Sequence, residues 1–98
     1  MSASNKRKIM RHEFLQPIQL SLLQEKSGIL KIKEKKGQGI DISSQGLGIL
    51  TPLALKAGEV LKVSLPSRTD GTFLPVFSQV VWAKKQNKEY RVGLQFLS

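Results

Sequence analysis

The chain has 98 residues, 40% of them hydrophobic and 23% charged, which allows one domain with a modest core. It contains no Cys and a single His, which excludes disulfides, thiolate metal sites, a cysteine nucleophile and a His-rich zinc centre. Sixteen Lys/Arg against seven Asp/Glu leave a net charge of +9, of which residues 1–40 carry +6 (nine basic, three acidic), so the partner is expected to be anionic.

Residues 1–11, MSASNKRKIMR, have no apolar periodicity and read as a flexible basic arm, with the domain proper over 12–98. From Phe14 the pattern has period two. Ile18, Leu20 and Leu22 alternate with polar positions, QEKSG reads as a turn, and Leu30 and Ile32 then alternate with Lys31 and Lys33. EKKGQG reads as another turn. A short strand pair over 39–43 and 47–51 surrounds Ser44-Gln45-Gly46. Pro52–Ala57 can form at most one helical turn. Leu61, Val63 and Leu65 alternate next, PSRTDG turns the chain, and a longer strand covers 72–83. Lys84–Asn87 turns it again, and Val92, Leu94 and Phe96 alternate to the last residues, leaving no room for a C-terminal helix. Short period-two runs punctuated by Gly, Pro, Asp and Asn predict an all-β chain, and an antiparallel barrel removes the exposed edges of so small a sheet.

The chemistry-bearing residues are sparse. His12 sits among basic residues and reads as a surface side chain. The carboxylates are too scattered for a general acid/base pair, and Ser43 and Ser44 have no nucleophile-elbow context. No catalytic residue, metal or cofactor is therefore expected, and the chain reads as a non-enzyme. The six aromatics, Phe14, Phe73, Phe77, Trp82, Tyr90 and Phe96, are expected in the core, with Trp82 the least certain because its indole N–H needs a partner. Four of the eight glycines fall at 37, 39, 46 and 48, serving either tight turns or close approach to a ligand. No apolar run is long enough to span a membrane and no secretory h-region succeeds the basic start, so a cytoplasmic location is expected.

Two motifs narrow the reading. Arg7-Lys8-Ile9-Met10-Arg11 is an Arg-x-x-x-Arg ahead of the first strand. Asp41-Ile42-Ser43-Ser44-Gln45-Gly46 is an Asp-x-Ser-x-x-Gly at a strand-to-strand turn, with a gap of 29 residues between Arg11 and Asp41. Their order and spacing resemble the PilZ domain family. So do the Gly58-Glu59-Val60-Leu61-Lys62-Val63 run and the ending, where Val80-Val81-Trp82 precedes Val92-Gly93-Leu94-Gln95-Phe96. The resemblance extends from about residue 6 to residue 97.

It implies a six-stranded antiparallel β-barrel that binds the bacterial second messenger cyclic di-GMP, with Arg7, Arg11, Asp41, Ser43 and Gly46 on the ligand. Many members carry a C-terminal helix that this sequence lacks. The chemistry agrees. An arginine fork meets phosphate oxygens or guanine O6 and N7 in bidentate fashion and stacks on a base. A carboxylate only accepts hydrogen bonds, which suits Asp41 to the guanine N1–H and N2–H donors. Ser43 can add a hydroxyl contact, and Gly46 can take φ > 0 or admit a base against the backbone. Alternatively, Asp41 and Ser43 serve only the turn amides.

The resulting expectation is a cyclic di-GMP receptor or adaptor whose arm and surface change on binding to regulate a partner protein. The rivals are a small basic barrel for RNA or single-stranded DNA and a ligand-free PilZ-like interaction module. Neither a membrane span nor a nucleic-acid partner is expected.

Overall fold

A computed structural model describes residues 10–67 and 70–97. Arg7 and the rest of the arm up to residue 9 lie outside the described residues, so the expected flexible arm is not addressed by them. Seven strands succeed one another: β1 (His12–Glu13), β2 (Pro17–Lys26), β3 (Ile29–Ile42), β4 (Gly46–Thr51), β5 (Val60–Pro66), β6 (Phe73–Gln86) and β7 (Glu89–Phe96). All pairings are antiparallel, and no helix occurs among the described residues. In space the strands run β3-β2-β5-β6-β7-β4, and β4 pairs back onto β3 to close a six-stranded barrel. The two-residue β1 pairs β3 beyond the end of β2, with His12 opposite Ile42 and Glu13 opposite Asp41. It is thus an interrupted prolongation of β2, and it carries the chain from Arg11 directly alongside Asp41.

The barrel fills from alternate positions, as a half-buried strand must. Ile18, Leu20 and Leu22 of β2, Leu47 and Ile49 of β4, Leu61 and Val63 of β5, Val80 of β6, and Val92 and Leu94 of β7 form the core. Leu53 and Leu55 join them from the β4–β5 connection, whose backbone closes on itself through Leu55 N–H to the Leu53 carbonyl (3.0 Å) rather than in a helical turn.

Three expectations fail, each for a physical reason. EKKGQG is not a turn but the interior of β3, which runs unbroken for 14 residues, and Gly37 and Gly39 lie within it. The actual reversal is two residues long, Ser27-Gly28, both at positive φ (56° and 79°), the geometry of a two-residue hairpin turn. The alternation of Leu30 and Ile32 does not mark a core face. β5 pairs β2 only over Gln19–Leu22, so the outer halves of β2 and β3 project beyond the barrel as a two-stranded hairpin, and both side chains are exposed. Finally, the aromatics are not the core. Phe14, Tyr90 and Phe96 pack against it half-buried, and Phe73, Phe77 and Trp82 are exposed. A barrel this narrow is filled by aliphatic side chains.

Candidate functional site: a glycine-floored groove on the barrel wall

The site is built across four neighbouring strands. Asp41 of β3 stands opposite Gly48 of β4, Gly48 opposite Gly93 of β7, and Gly93 opposite Trp82 of β6. One register row therefore reads Asp41–Gly48–Gly93–Trp82. Its flanking positions Leu47, Ile49, Val92 and Leu94 point into the core, so the row itself faces outward. Each end of the row comes just after a register shift. The first lies between Gly39 and Asp41, the second between Val80 and Trp82. A bulge inserts an extra residue and re-aims the side chains beyond it. Here the second leaves Val81 and Trp82, consecutive in sequence, both exposed.

The two glycines are required by the side chains that lie over them. A Cβ on Gly48 would stand 2.6 Å from Asp41 Oδ1, and one on Gly93 would collide with the Trp82 indole. Asp41 and Trp82 thus fold inward from the two ends of the row onto a floor without side chains. Gly46 is needed for a third close approach, since a Cβ there would meet the Leu94 carbonyl oxygen. Of the two roles expected for Gly46, the positive φ is not adopted; in the structure the missing side chain lets β4 pack closely on β7.

Arg11 completes the charged end. Its Nη1 donates to Asp41 Oδ1 at 2.8 Å, with the arginine side chain half-exposed and the aspartate partly covered. It is the only ion pair among the described residues. Ser43 is nearly buried and occupied with the turn. Its Oγ accepts the Gln45 and Gly46 N–H groups at 3.2 and 3.3 Å, while its own N–H donates to the Gly46 carbonyl at 2.9 Å. Ser43 therefore serves the turn amides, whereas Asp41 is turned outward to Arg11. The Gln45 carbonyl accepts the Phe96 N–H at 2.8 Å and ties the turn to β7.

Beside the row lies an open groove of about 350 Å³, lined by Arg11, Ser43, Gln45 and Gly46 on one side and Val81, Trp82, Gly93 and Gln95 on the other. Of the five motif residues, Arg11, Ser43 and Gly46 line the groove, Asp41 adjoins it through its ion pair with Arg11, and Arg7 lies outside the described residues. Trp82, Val81, Gln45 and Gln95 also line the groove, and sequence reasoning does not place them there. The one available signal is the pair Val81-Trp82, which breaks the β6 alternation by placing two large apolar residues side by side. The arrangement offers one cation, one carboxylate and an aromatic face, with Asp41 and Trp82 covering the two glycines and the open volume lying beside the row.

The family model described as PilZ domain matches residues 5–98, and the chain belongs to that family. PilZ domains are ligand-binding and adaptor modules, in general not enzymes, and the family as a whole is one of cyclic di-GMP receptors. No curated protein matches the chain. Among the described residues no helix is long and apolar enough to cross a membrane.

Proposed function

We propose that this chain is a cyclic di-GMP receptor that regulates a partner protein. The observation that carries the proposal is the convergence of Arg11, Asp41 and Trp82 around the Gly48–Gly93 floor. The ligand brings two phosphates and two guanines. Arg11 supplies the fork for phosphate or the guanine Hoogsteen edge. Asp41 supplies acceptors for the guanine N1–H and N2–H, and the exposed indole supplies a stacking face. Ser43 and Gly46 hold the turn that sets Asp41 and Gln45 in place, with the Ser43 hydroxyl proton left to donate. Arg7, four residues before Arg11, adds a second fork from the basic arm. Arg11 already pairs with Asp41 without ligand, so the expected ordering of Lys6–Arg11 is narrowed to the residues ahead of it, which binding orders against the Asp41–Gly46 turn while the barrel strands stay in place, presenting a new surface to the partner. No cofactor is needed beyond the ligand.

The experiment is a titration of the full chain with cyclic di-GMP, monitored by calorimetry and by the fluorescence of Trp82, the single tryptophan. Saturable binding with a fluorescence change is expected, with GMP, cyclic di-AMP and a single-stranded oligonucleotide binding more weakly. Equal or tighter binding of the oligonucleotide would replace the proposal with the nucleic-acid reading. Absence of binding to any of them would leave an interaction module. Amide exchange of residues 6–11 with and without ligand tests the arm, and protection unchanged on saturation refutes its part in the response.

A further inference from the structure

The outer half of β3 is a strand with one neighbour. From Ile29 to Gly37 it pairs with β2 alone, and β4 joins only at Gln38. No other backbone hydrogen bond reaches residues 29–35 among the described residues. Residues 29–35 of this edge, seven in all, extend about 24 Å at ~3.4 Å per residue. Its free N–H and C=O groups form a template for one more strand.

The two faces of this edge differ sharply. Leu30, Ile32 and Glu34 share the face of Leu23 and Ser21 of β2. There, exposed Ile32 and Leu23 continue into Val60 and Phe77 of β5 and β6 around an open apolar hollow of about 450 Å³. The opposite face carries Lys31, Lys33 and Lys35 at successive alternate positions. Their cross-strand neighbours on β2 are Gln24, Leu22 and Leu20, none of them acidic, and none of the three lysines has an ion-pair partner among the described residues. A stripe of three unneutralised cations beside a free backbone edge lies on a chain of net charge +9.

We propose that this edge captures an extended acidic segment of a partner protein by strand addition. The partner's carboxylates alternate with apolar side chains, so that one face meets Lys31, Lys33 and Lys35 and the other extends the Leu30–Ile32–Leu23 surface. Backbone hydrogen bonds supply the affinity, and the alternation supplies the selectivity. The same lysines argue against a second copy of this chain as occupant. Antiparallel pairing of two β3 edges sets lysine against lysine, and like charges directly opposite are destabilising. The edge lies apart from the glycine-floored groove, so the proposal stands whether or not cyclic di-GMP is the ligand there.

The probe is a capped nonapeptide of alternating Glu and Val, compared with one of identical composition in which the five Glu precede the four Val. Amide exchange and NMR shifts on the full chain locate binding. The alternating peptide should protect residues 29–35 and bind about tenfold more tightly than the blocked one. K31E/K33E/K35E should lose about tenfold in affinity, and K31Q/K33Q/K35Q should lose less, with unaltered melting since all three side chains are exposed. Equal binding of the two peptides reduces the edge to a non-specific charge contact and overturns the proposal. So does protection located elsewhere, self-association of the wild-type chain through 29–35, or a preference for phosphatidylglycerol vesicles over the alternating peptide.

Discussion

Asp41 and Trp82 stand at the two ends of one register row, separated only by Gly48 and Gly93, and each lies over the glycine next to it. A row of four outward positions usually carries four side chains. Here two are deleted, and the two that remain collapse onto the space. The result is a polar end and an aromatic end whose side chains cover the glycine backbone between them, with their Cα atoms about three strand spacings or ~14 Å apart.

The floor can be tested without any ligand. Gly93→Ala places a methyl group where the Trp82 indole rests. The indole must swing outward, because the added Cβ is fixed by the β7 backbone and the side chain is the movable party. The single tryptophan then emits at longer wavelength as it gains water contact. The loss of stability should stay within about 1 kcal/mol, since the indole is already exposed and little core area changes. An unshifted emission maximum would mean that the indole does not rest on Gly93. Once ligand binding is established, Gly93→Ala should weaken it, with the strands unmoved.

Arg11→Ala separates binding from folding. Its ion pair with Asp41 is solvent-exposed, and such pairs contribute about 0–1 kcal/mol to folding. A charge-assisted hydrogen bond to ligand is worth ~1.5–3 kcal/mol. The variant should therefore lose roughly tenfold to a hundredfold in cyclic di-GMP affinity with a small change in melting temperature. Arg11→Lys should recover little, because an ammonium is a point charge without the bidentate fork. Arg7→Ala is expected to behave like Arg11→Ala. Wild-type affinity in Arg11→Lys would remove the fork from the explanation.

On the proposed reading, Asp41 selects the base. Asp41→Ala removes the acceptors for the two guanine donors and releases Arg11 at the same time. Affinity for cyclic di-GMP should fall while affinity for cyclic di-AMP falls less, so the ratio between them narrows. Asp41→Asn keeps one acceptor, adds a donor, and should sit between. Competition of the two dinucleotides for each variant is the measurement. An unchanged ratio in Asp41→Ala would confine Asp41 to positioning Arg11.

How legible each feature is in the sequence depends on how it is encoded. The barrel's core strands are legible because Ile18, Leu20 and Leu22, or Val92 and Leu94, alternate without interruption, and period two has one structural meaning when one face is buried. The Asp41–Gly46 turn is legible because Asp, Ser and Gly at that spacing have a local chemistry. β3 misleads because its alternation of Leu30 and Ile32 with lysines is the same local pattern, while its lack of a second neighbour there depends on β4 being short and joining only at Gln38. Trp82 reads as a core residue because the Val81-Trp82 pair, although it breaks the β6 alternation, does not say which residue is the extra one, and only the pairing of β6 with β7 shows that it is Val81. The glycine floor is invisible for the same reason. Gly48 and Gly93 are 45 residues apart in sequence, and nothing short of the register of β4 on β7 places them side by side.

The core itself carries one anomaly with a measurable consequence. Ser78 of β6 is fully buried, opposite Leu61 across the β5 pairing and Phe96 across the β7 pairing, and its Oγ has no hydrogen-bond partner. A buried hydroxyl without a partner carries a desolvation cost of about 1–3 kcal/mol that nothing offsets. Ser78→Ala deletes the oxygen and leaves a void of a single atom, too small to cancel that gain by loss of packing. The variant should therefore be at least as stable as the wild type, by up to about 1 kcal/mol, corresponding to a rise of up to ~4–8 °C in melting temperature for a domain of this size. Ser78→Val tests the neighbouring volume. The added methyl bulk in a well-packed barrel should cost about 1–3 kcal/mol through displaced side chains. Thermal melts of the two variants distinguish the cases. Stabilisation by alanine with destabilisation by valine is the expected pair, whereas a clear loss in Ser78→Ala would show that the hydroxyl is bonded in solution, through a buried water or a rotated neighbour.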